Sequence, residues 1–214
     1  MSKTRFAVAV SGEGRSLRNL CAQESRFAYD IAAVISSRAD CGAANFARDR
    51  HLPLYVANFS APLSQEVGLD LEAWLRLQRI DWIALAGFLK PFPCLASYKN
   101  KMINVHPALL PRFAGKGMYG MNVHRAVQKA GEAVTGATIH FVNEHYDEGA
   151  IIAQIKVSLP LGVEAEAIAQ RVFTAESQLY PLVLDGLSTG RLPLANGAIY
   201  FEKEIPHDNF ATDL

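Results

Sequence analysis

The chain has 214 residues, half of them hydrophobic and a fifth charged, which fits one large α/β domain with enough apolar material for a core. Lysine and arginine number 21 and aspartate and glutamate 21, a balance that argues against an electrostatic nucleic-acid binder and leaves room for a small anionic substrate. Cys21, Cys41 and Cys94 form no Cys-x-x-Cys pair, so neither a zinc ribbon nor a disulfide framework is expected; no apolar run reaches the ~18 residues of a membrane span, and the cytoplasm is the expected setting.

Phe6 to Val10 is an apolar run ended by Ser11-Gly12-Glu13-Gly14, which predicts a strand turning into a helix from Ser16 to about Ser25. Ile31 to Ile35 predicts a second strand, Ala43 to Arg50 a short helix, and Leu52 to Val56 a third strand. Leu69 to Leu77 carries apolar residues at helical spacing, and Trp82 to Ala86 predicts a fourth, buried strand closed by Gly87. This alternation is the pattern of a doubly wound parallel sheet. Beyond it, Pro91, Pro93, Pro107 and Pro111 interrupt any long helix, and Met102 to Val105 predicts a short strand running into His106-Pro107. Gly115, Gly117 and Gly120 mark a loop before a helix from about Asn122 to Ala130. Thr135 to Val142 and Ile151 to Val157 predict strands, Glu164 to Leu187 a final helix, and Ala198 to Phe201 one more strand in the tail.

Ser11-Gly12-Glu13-Gly14-Arg15-Ser16 lies between a strand and a helix, where backbone N–H groups favour an anion such as a phosphate. A dinucleotide fingerprint is the rival, but its third glycine position holds Leu17 and no acidic residue directly follows the second strand. Arg38 offers a partner for a 2′-phosphate, so an NADP-binding module stands as the alternative from another class; a plain tight turn is the third reading.

In Asn104-Val105-His106-Pro107-Ala108-Leu109-Leu110-Pro111, an extended backbone points Asn104 and His106 to one face. An amide N–H and an imidazole together can hold an oxyanion and move a proton, which acyl transfer to an amine requires. The plainer reading is a backbone-bonded asparagine and a structural histidine. Asp147, in a polar loop ending at Gly149, is either a carboxylate that favours a charged imidazole or an Asx-turn residue. His140 and His145 lack metal spacing, and His140 reads as a buried structural histidine; Trp74 and Trp82 read as core, Lys116 as an exposed loop lysine, and Ser11 has no nucleophile frame.

The string from Asn104 to Pro111 resembles the signature of the folate-dependent formyltransferases. The resemblance runs from Val8 to about Leu184 through Ser11-Gly12-x-Gly14, Ser37-Arg38-Ala39-Asp40, Leu85-Ala86-Gly87-Phe88, Gly115-Lys116-Gly117-Met118-Tyr119-Gly120, His140-Phe141-Val142, Asp147-Glu148-Gly149 and Tyr180-Pro181-Leu182-Val183. It implies a Rossmann-like, mostly parallel twisted sheet flanked by helices, forming a single domain over residues 1–214. Within that domain it implies a nucleotide-binding half over about 1–100, a folate-binding and catalytic half over about 101–190, and a short tail. The implied reaction passes the formyl group of 10-formyltetrahydrofolate to the amine of glycinamide ribonucleotide in purine biosynthesis. No metal, nucleic acid or membrane is implied, and the chain is a monomer or a homodimer.

By the same resemblance, Asn104 and His106 polarise the formyl group and Asp147 supports the charged His106. Gly12, Gly14, Arg15 and Ser16 hold the substrate phosphate, and Glu176 contacts the ribose. Leu89, Lys90, Pro91 and Phe92 border the pterin, together with Asn104. The sequence departs from the family pattern at Glu13, at Arg15-Ser16 where Ser-Asn is usual, at Phe173, and between Pro62 and Leu71, where a basic residue has no clear counterpart. The nearest rivals keep the fold and change the acceptor: a formyltetrahydrofolate hydrolase, or a nucleotide-sugar N-formyltransferase.

Overall fold

The structure, a computed structural model, describes residues 3–59, 65–93, 95–192 and 199–205. Cys94 and residue 198 at the start of the expected tail strand lie outside the described residues, as does part of the span between Pro62 and Leu71. The chain divides into two compact units, Met1–Asn104 and Val105–Leu214.

The first unit contains β1 (Thr4–Val10), α1 (Arg15–Gln23), β2 (Tyr29–Ser36), α2 (Gly42–Asp49), β3 (Leu54–Val56), α3 (Gln65–Leu77), β4 (Trp82–Leu85) and the start of β5 (Met102–His106). Its strands run parallel in the order β3-β2-β1-β4-β5. Parallel strands covered on both faces need apolar side chains on both, so they read as unbroken apolar runs; Phe6 to Val10 is at most 1% exposed along its whole length. Connections leave β1 toward β2 on one side and return to β4 on the other. The switch point of the sheet therefore lies between β1 and β4, and in open α/β sheets ligands bind at the carboxyl ends of the strands at that point.

One boundary differs from expectation for a physical reason. Helix α3 begins at Gln65, ahead of Leu69, and the two leucines that bounded the expected helix, Leu69 and Leu77, face solvent. The buried stripe is Leu71, Glu72 and Leu75. The Glu72 carboxylate accepts the Ser97 backbone N–H at 2.6 Å, and hydrogen bonds from Ser97 hold its pKa below the ordinary carboxylate value despite burial.

The second unit contains the end of β5, then α4 (Met121–Lys129), β6 (Val134–Phe141), β7 (Ile151–Ser158), α5 (Ala165–Ser188) and β8 (Ile199–Ile205). β6 and β7 form an antiparallel pair and β8 runs parallel to β7. Helix α5 packs on β6 and β7, and α4 packs on α5. Among the described residues, no helix is long and apolar enough to cross a membrane.

Candidate active site

At the switch point of the first unit, buried Ser11 directly follows the end of β1, and its hydroxyl ties three strand ends together. The Ser11 Oγ accepts the Leu89 N–H at 2.9 Å and the Ser37 hydroxyl at 2.8 Å. The loop after β1 and the Leu89–Phe92 segment after β4 are thus held to one atom. Phe92 stacks on buried Phe59 (5.9 Å between centroids, 11° between planes) and meets Phe88 edge-on at 5.3 Å, giving this segment an aromatic floor. Lys90 is exposed beside it.

Glycine 14 is needed twice over. Its φ of +72° is left-handed, and a Cβ there would come within 2.7 Å of the Ala43 Cβ on α2. Part of the glycine pattern is therefore explained by packing of the loop on α2; a Cβ on Gly12 would meet nothing within 4 Å. Helix α1 opens at Arg15-Ser16 with no acidic residue in its first turn and no side-chain cap from Gly14, so its N-terminal dipole favours an anion. The Glu13 carboxylate lies against Gly42 in the first turn of α2, where a negative charge is favoured. Arg38 forms an exposed ion pair with Asp40 (3.4 Å), so the arginine that would serve a 2′-phosphate is engaged elsewhere.

Strand β5 carries Asn104 and His106 on one face, with Asn104 opposite Leu85 of β4. In the second unit the His106 ring is 3% exposed, and its two nitrogens have different neighbours. Nε2 lies 2.8 Å from the Phe113 carbonyl oxygen, and Nδ1 lies 3.5 Å from Asp147 Oδ2. Asp147 itself adopts φ +58°, a left-handed conformation that aspartate tolerates better than most residues, and its Oδ2 accepts the Gly115 N–H at 3.1 Å. The structure brings the Asp147 carboxylate beside His106, and the hydrogen bond it accepts comes from Gly115 and not from the expected Asx-type turn before Gly149.

Opposed influences act on the His106 titration, and Asp147 works in the expected direction. Burial pulls the His106 pKa below its ordinary value; Asp147 and the Phe113 carbonyl push it up, but by less. His140 at the end of β6 was expected to be structural, yet its Nε2 stands 3.7 Å from Asp147 Oδ1, opposite His106. The signal that could have found it is Thr138 and His140 at period-two spacing in a mostly apolar strand. His124 on α4 is buried as well; burial and then the neighbouring His106 lower its pKa to about 4. Among the described residues no group of three or more His, Cys, Asp or Glu side chains is arranged to hold a metal ion. Glu176 is half-buried on α5, one turn before Tyr180, whose hydroxyl pKa rises mainly through burial and further through the Glu176 charge.

The loop that follows His106 is clamped from below by two further residues that the sequence did not single out. Thr138 Oγ1 donates to the Ala108 carbonyl (2.7 Å) and accepts from the Leu110 N–H (3.0 Å) and from Gln154 Nε2 (2.9 Å); Gln154 also donates to the Leu110 carbonyl at 3.0 Å. Every one of these groups is buried, so removing the hub leaves several unpaired at once. Thr138→Val, of equal shape, is expected to cost about 1–3 kcal/mol, and Thr138→Ser to restore most of it. Urea unfolding of the two variants checks this; equal midpoints for Val and Ser would show that the hub carries no stability.

A sequence model of the formyl transferase family matches residues 4–184. The chloroplastic phosphoribosylglycinamide formyltransferase of Vigna unguiculata is 37% identical over 197 residues, covering 89% of this chain; the chain spans only 62% of that relative's length. The phosphoribosylglycinamide formyltransferase of Haemophilus influenzae is 32% identical over 217 residues, covering 98% of this chain and 99% of its own. The crystal structure of phosphoribosylglycinamide formyltransferase from Anaplasma phagocytophilum matches with a TM-score of 0.80 at 31% identity, covering 91% of each chain. The expected fold class, an α/β fold with a mostly parallel sheet and flanking helices, is the fold of that neighbour.

Proposed function

The chain belongs to the formyl transferase family, and from that premise we propose that it transfers the formyl group of 10-formyltetrahydrofolate to the amine of glycinamide ribonucleotide, a step of purine biosynthesis. The observation that carries the reading is the buried His106–Asp147 pair at the carboxyl end of β5, beside Asn104 on the same strand face. The amine attacks the formyl carbon, and the carbonyl oxygen gathers negative charge. The Asn104 amide and the His106 Nε2–H are the donors for that oxygen. As the tetrahedral carbon collapses, the proton lost by the amine ends on the folate nitrogen that leaves, and the bond from that nitrogen to the formyl carbon breaks.

The Nε2–H is at present given to the Phe113 carbonyl, so that carbonyl has to yield it to the substrate. Phe113 sits at φ +56°, a strained conformation for an aromatic residue, which lowers the cost of rearranging it. Asp147 opposes the burial of His106 and so raises the share of imidazolium. The acid-free first turn of α1 supports a phosphate-bearing acceptor, and the aromatic floor under Leu89–Phe92 supports a pterin. Cys21 and Cys41 are free thiols inside the core, which suits a reducing cytoplasmic setting.

The test is an acceptor screen with 10-formyltetrahydrofolate, following release of the deformylated folate optically. Glycinamide ribonucleotide should be used in preference to water and to nucleotide-linked amino sugars. Inorganic phosphate at high concentration should compete with the acceptor and leave the folate KM unchanged. Competition against folate alone, or none, would overturn the phosphate assignment and move the sugar-directed reading ahead.

A further inference from the structure

The segment Leu89–Phe92 has little means of holding itself through its own backbone. It lies outside any helix or strand, and Pro91 and Pro93, on either side of Phe92, have no N–H to give. The Leu89 N–H fixes its start to the Ser11 hydroxyl. At its far end the hold is a side chain: the Phe92 ring lies parallel to that of Phe59, 5.9 Å away.

Phe59 belongs to the stretch that follows β3, the edge strand of the first unit, which stands apart from β4 in the order β3-β2-β1-β4. That stretch is tied to the end of β2 by the Ala57 N–H, which donates to the Ser36 carbonyl at 3.3 Å. Two residues later the Phe59 ring is 1% exposed, with Phe92 along its face and Phe88 edge-on at 5.0 Å and 87°. Phe88 and Phe92 also meet each other edge-on, so the three rings close a triangle. Phe59 is its buried vertex, and the other two keep partial exposure. A ring so covered has almost no surface to offer a ligand. Whatever it does for one passes through Phe92 and Phe88.

We propose that Phe59 is a positioning residue for the reduced pteridine of the folate: its buried ring holds Phe92, and with it the end of Leu89–Phe92, in the binding arrangement before the ligand arrives. This rests on the formyl-transfer reading, in which that segment borders the pterin. A protein that must first order its binding segment binds more weakly, in proportion to the fraction of molecules already ordered. Once the ligand is bound the segment is the same in either case, so the chemistry proceeds at the same rate. The loop from Gly12 to Ser16 is seated independently, through Gly14 against Ala43 of α2, and acceptor binding should not sense the change.

Phe59→Leu keeps the site apolar and removes the flat face against which Phe92 lies. Calorimetric titration with tetrahydrofolate should give a Kd about 3- to 10-fold above that of the parent, the scale of one lost aromatic pairing. The Kd of glycinamide ribonucleotide and kcat at saturation should keep their parental values. Phe92→Leu alone should weaken folate binding as well, and adding Phe59→Leu to it should bring almost no further loss, because the effect travels through that ring. A ring that served stability alone would lower the unfolding midpoint and leave the tetrahydrofolate Kd of the folded protein where it was. That result overturns the proposal, as does a full additional loss in the double variant. Phe59→Met, which fills the volume with a flexible chain, makes the same test if the leucine variant does not fold. A parent protein that binds no reduced folate overturns the formyl-transfer reading and the role of Phe59 with it; equal binding by parent and variant overturns the role of Phe59 alone.

Discussion

His106→Ala protein is expected to fold and to turn over about 10²–10⁴ times more slowly than the parent, because on the proposed mechanism it loses the group that donates to the developing oxyanion and moves the proton. The substitution removes a ring that is 3% exposed and leaves the Phe113 carbonyl without its donor, so some stability is lost as well. The two effects separate experimentally. Unfolding midpoints measure the first loss, and single-turnover rates on the folded fraction measure the second. Asp147 would remain in its turn, held by the Gly115 N–H, and Asn104 would remain on β5, so residual activity reports what those groups achieve alone. A folded His106→Ala protein with near-parental turnover would end the proposed mechanism.

Asp147→Asn should lower turnover at neutral pH by about 10- to 10³-fold and recover part of it as the medium is made more acidic. The sign follows from the two opposed influences on His106. Burial already holds its pKa below the ordinary histidine value, and the Asp147 charge is the first of the two influences that raise it. Without that charge the pKa falls further, the imidazolium becomes scarcer at pH 7, and lower pH is needed to populate it. Geometry is preserved by design. Asparagine tolerates the left-handed φ of +58° and can still accept the Gly115 N–H through its amide oxygen. An unmoved pH–rate profile and an unmoved His106 resonance would reduce Asp147 to a turn residue.

The parallel strands of the first unit were legible in the sequence because burial on both faces writes them as apolar runs, as in Phe6 to Val10. The start of α3 was not, because Leu69 and Leu77 look like core residues at helical spacing and lie in solvent. The string from Asn104 to Pro111 exposed one half of the candidate site for a local reason: a strand's period of two and a proline stop are readable within a few residues. Its other half depends on the turn that carries Asp147 folding back against His106, a contact between distant positions on which local pattern is silent. The nearness of His140 to Asp147 was hidden for a related cause. A polar residue inside an apolar strand looks structural until the atom opposite its ring is known. Thr138 and Gln154 stayed hidden because, apart from the bond between them, their hydrogen bonds go to backbone atoms, which carry no residue signature.

The shared hydroxyl of Ser11 has a bearing on how such a chain can diversify. Leu89 and Ser37 both bond to it, so the frame that aligns the ends of β1, β2 and β4 is fixed by one small side chain and by backbone. Glu13 lies in the loop that hangs on this frame, and Arg15 and Ser16 open the helix that follows it; the bonds to the Ser11 hydroxyl come from Ser37 and Leu89. On the proposed function, acceptor preference can therefore be rewritten at those three positions while the segment from Leu89 to Phe92 keeps its alignment. A lineage could exchange one phosphorylated amine for another by small steps there, without passing through a form in which that segment had come loose.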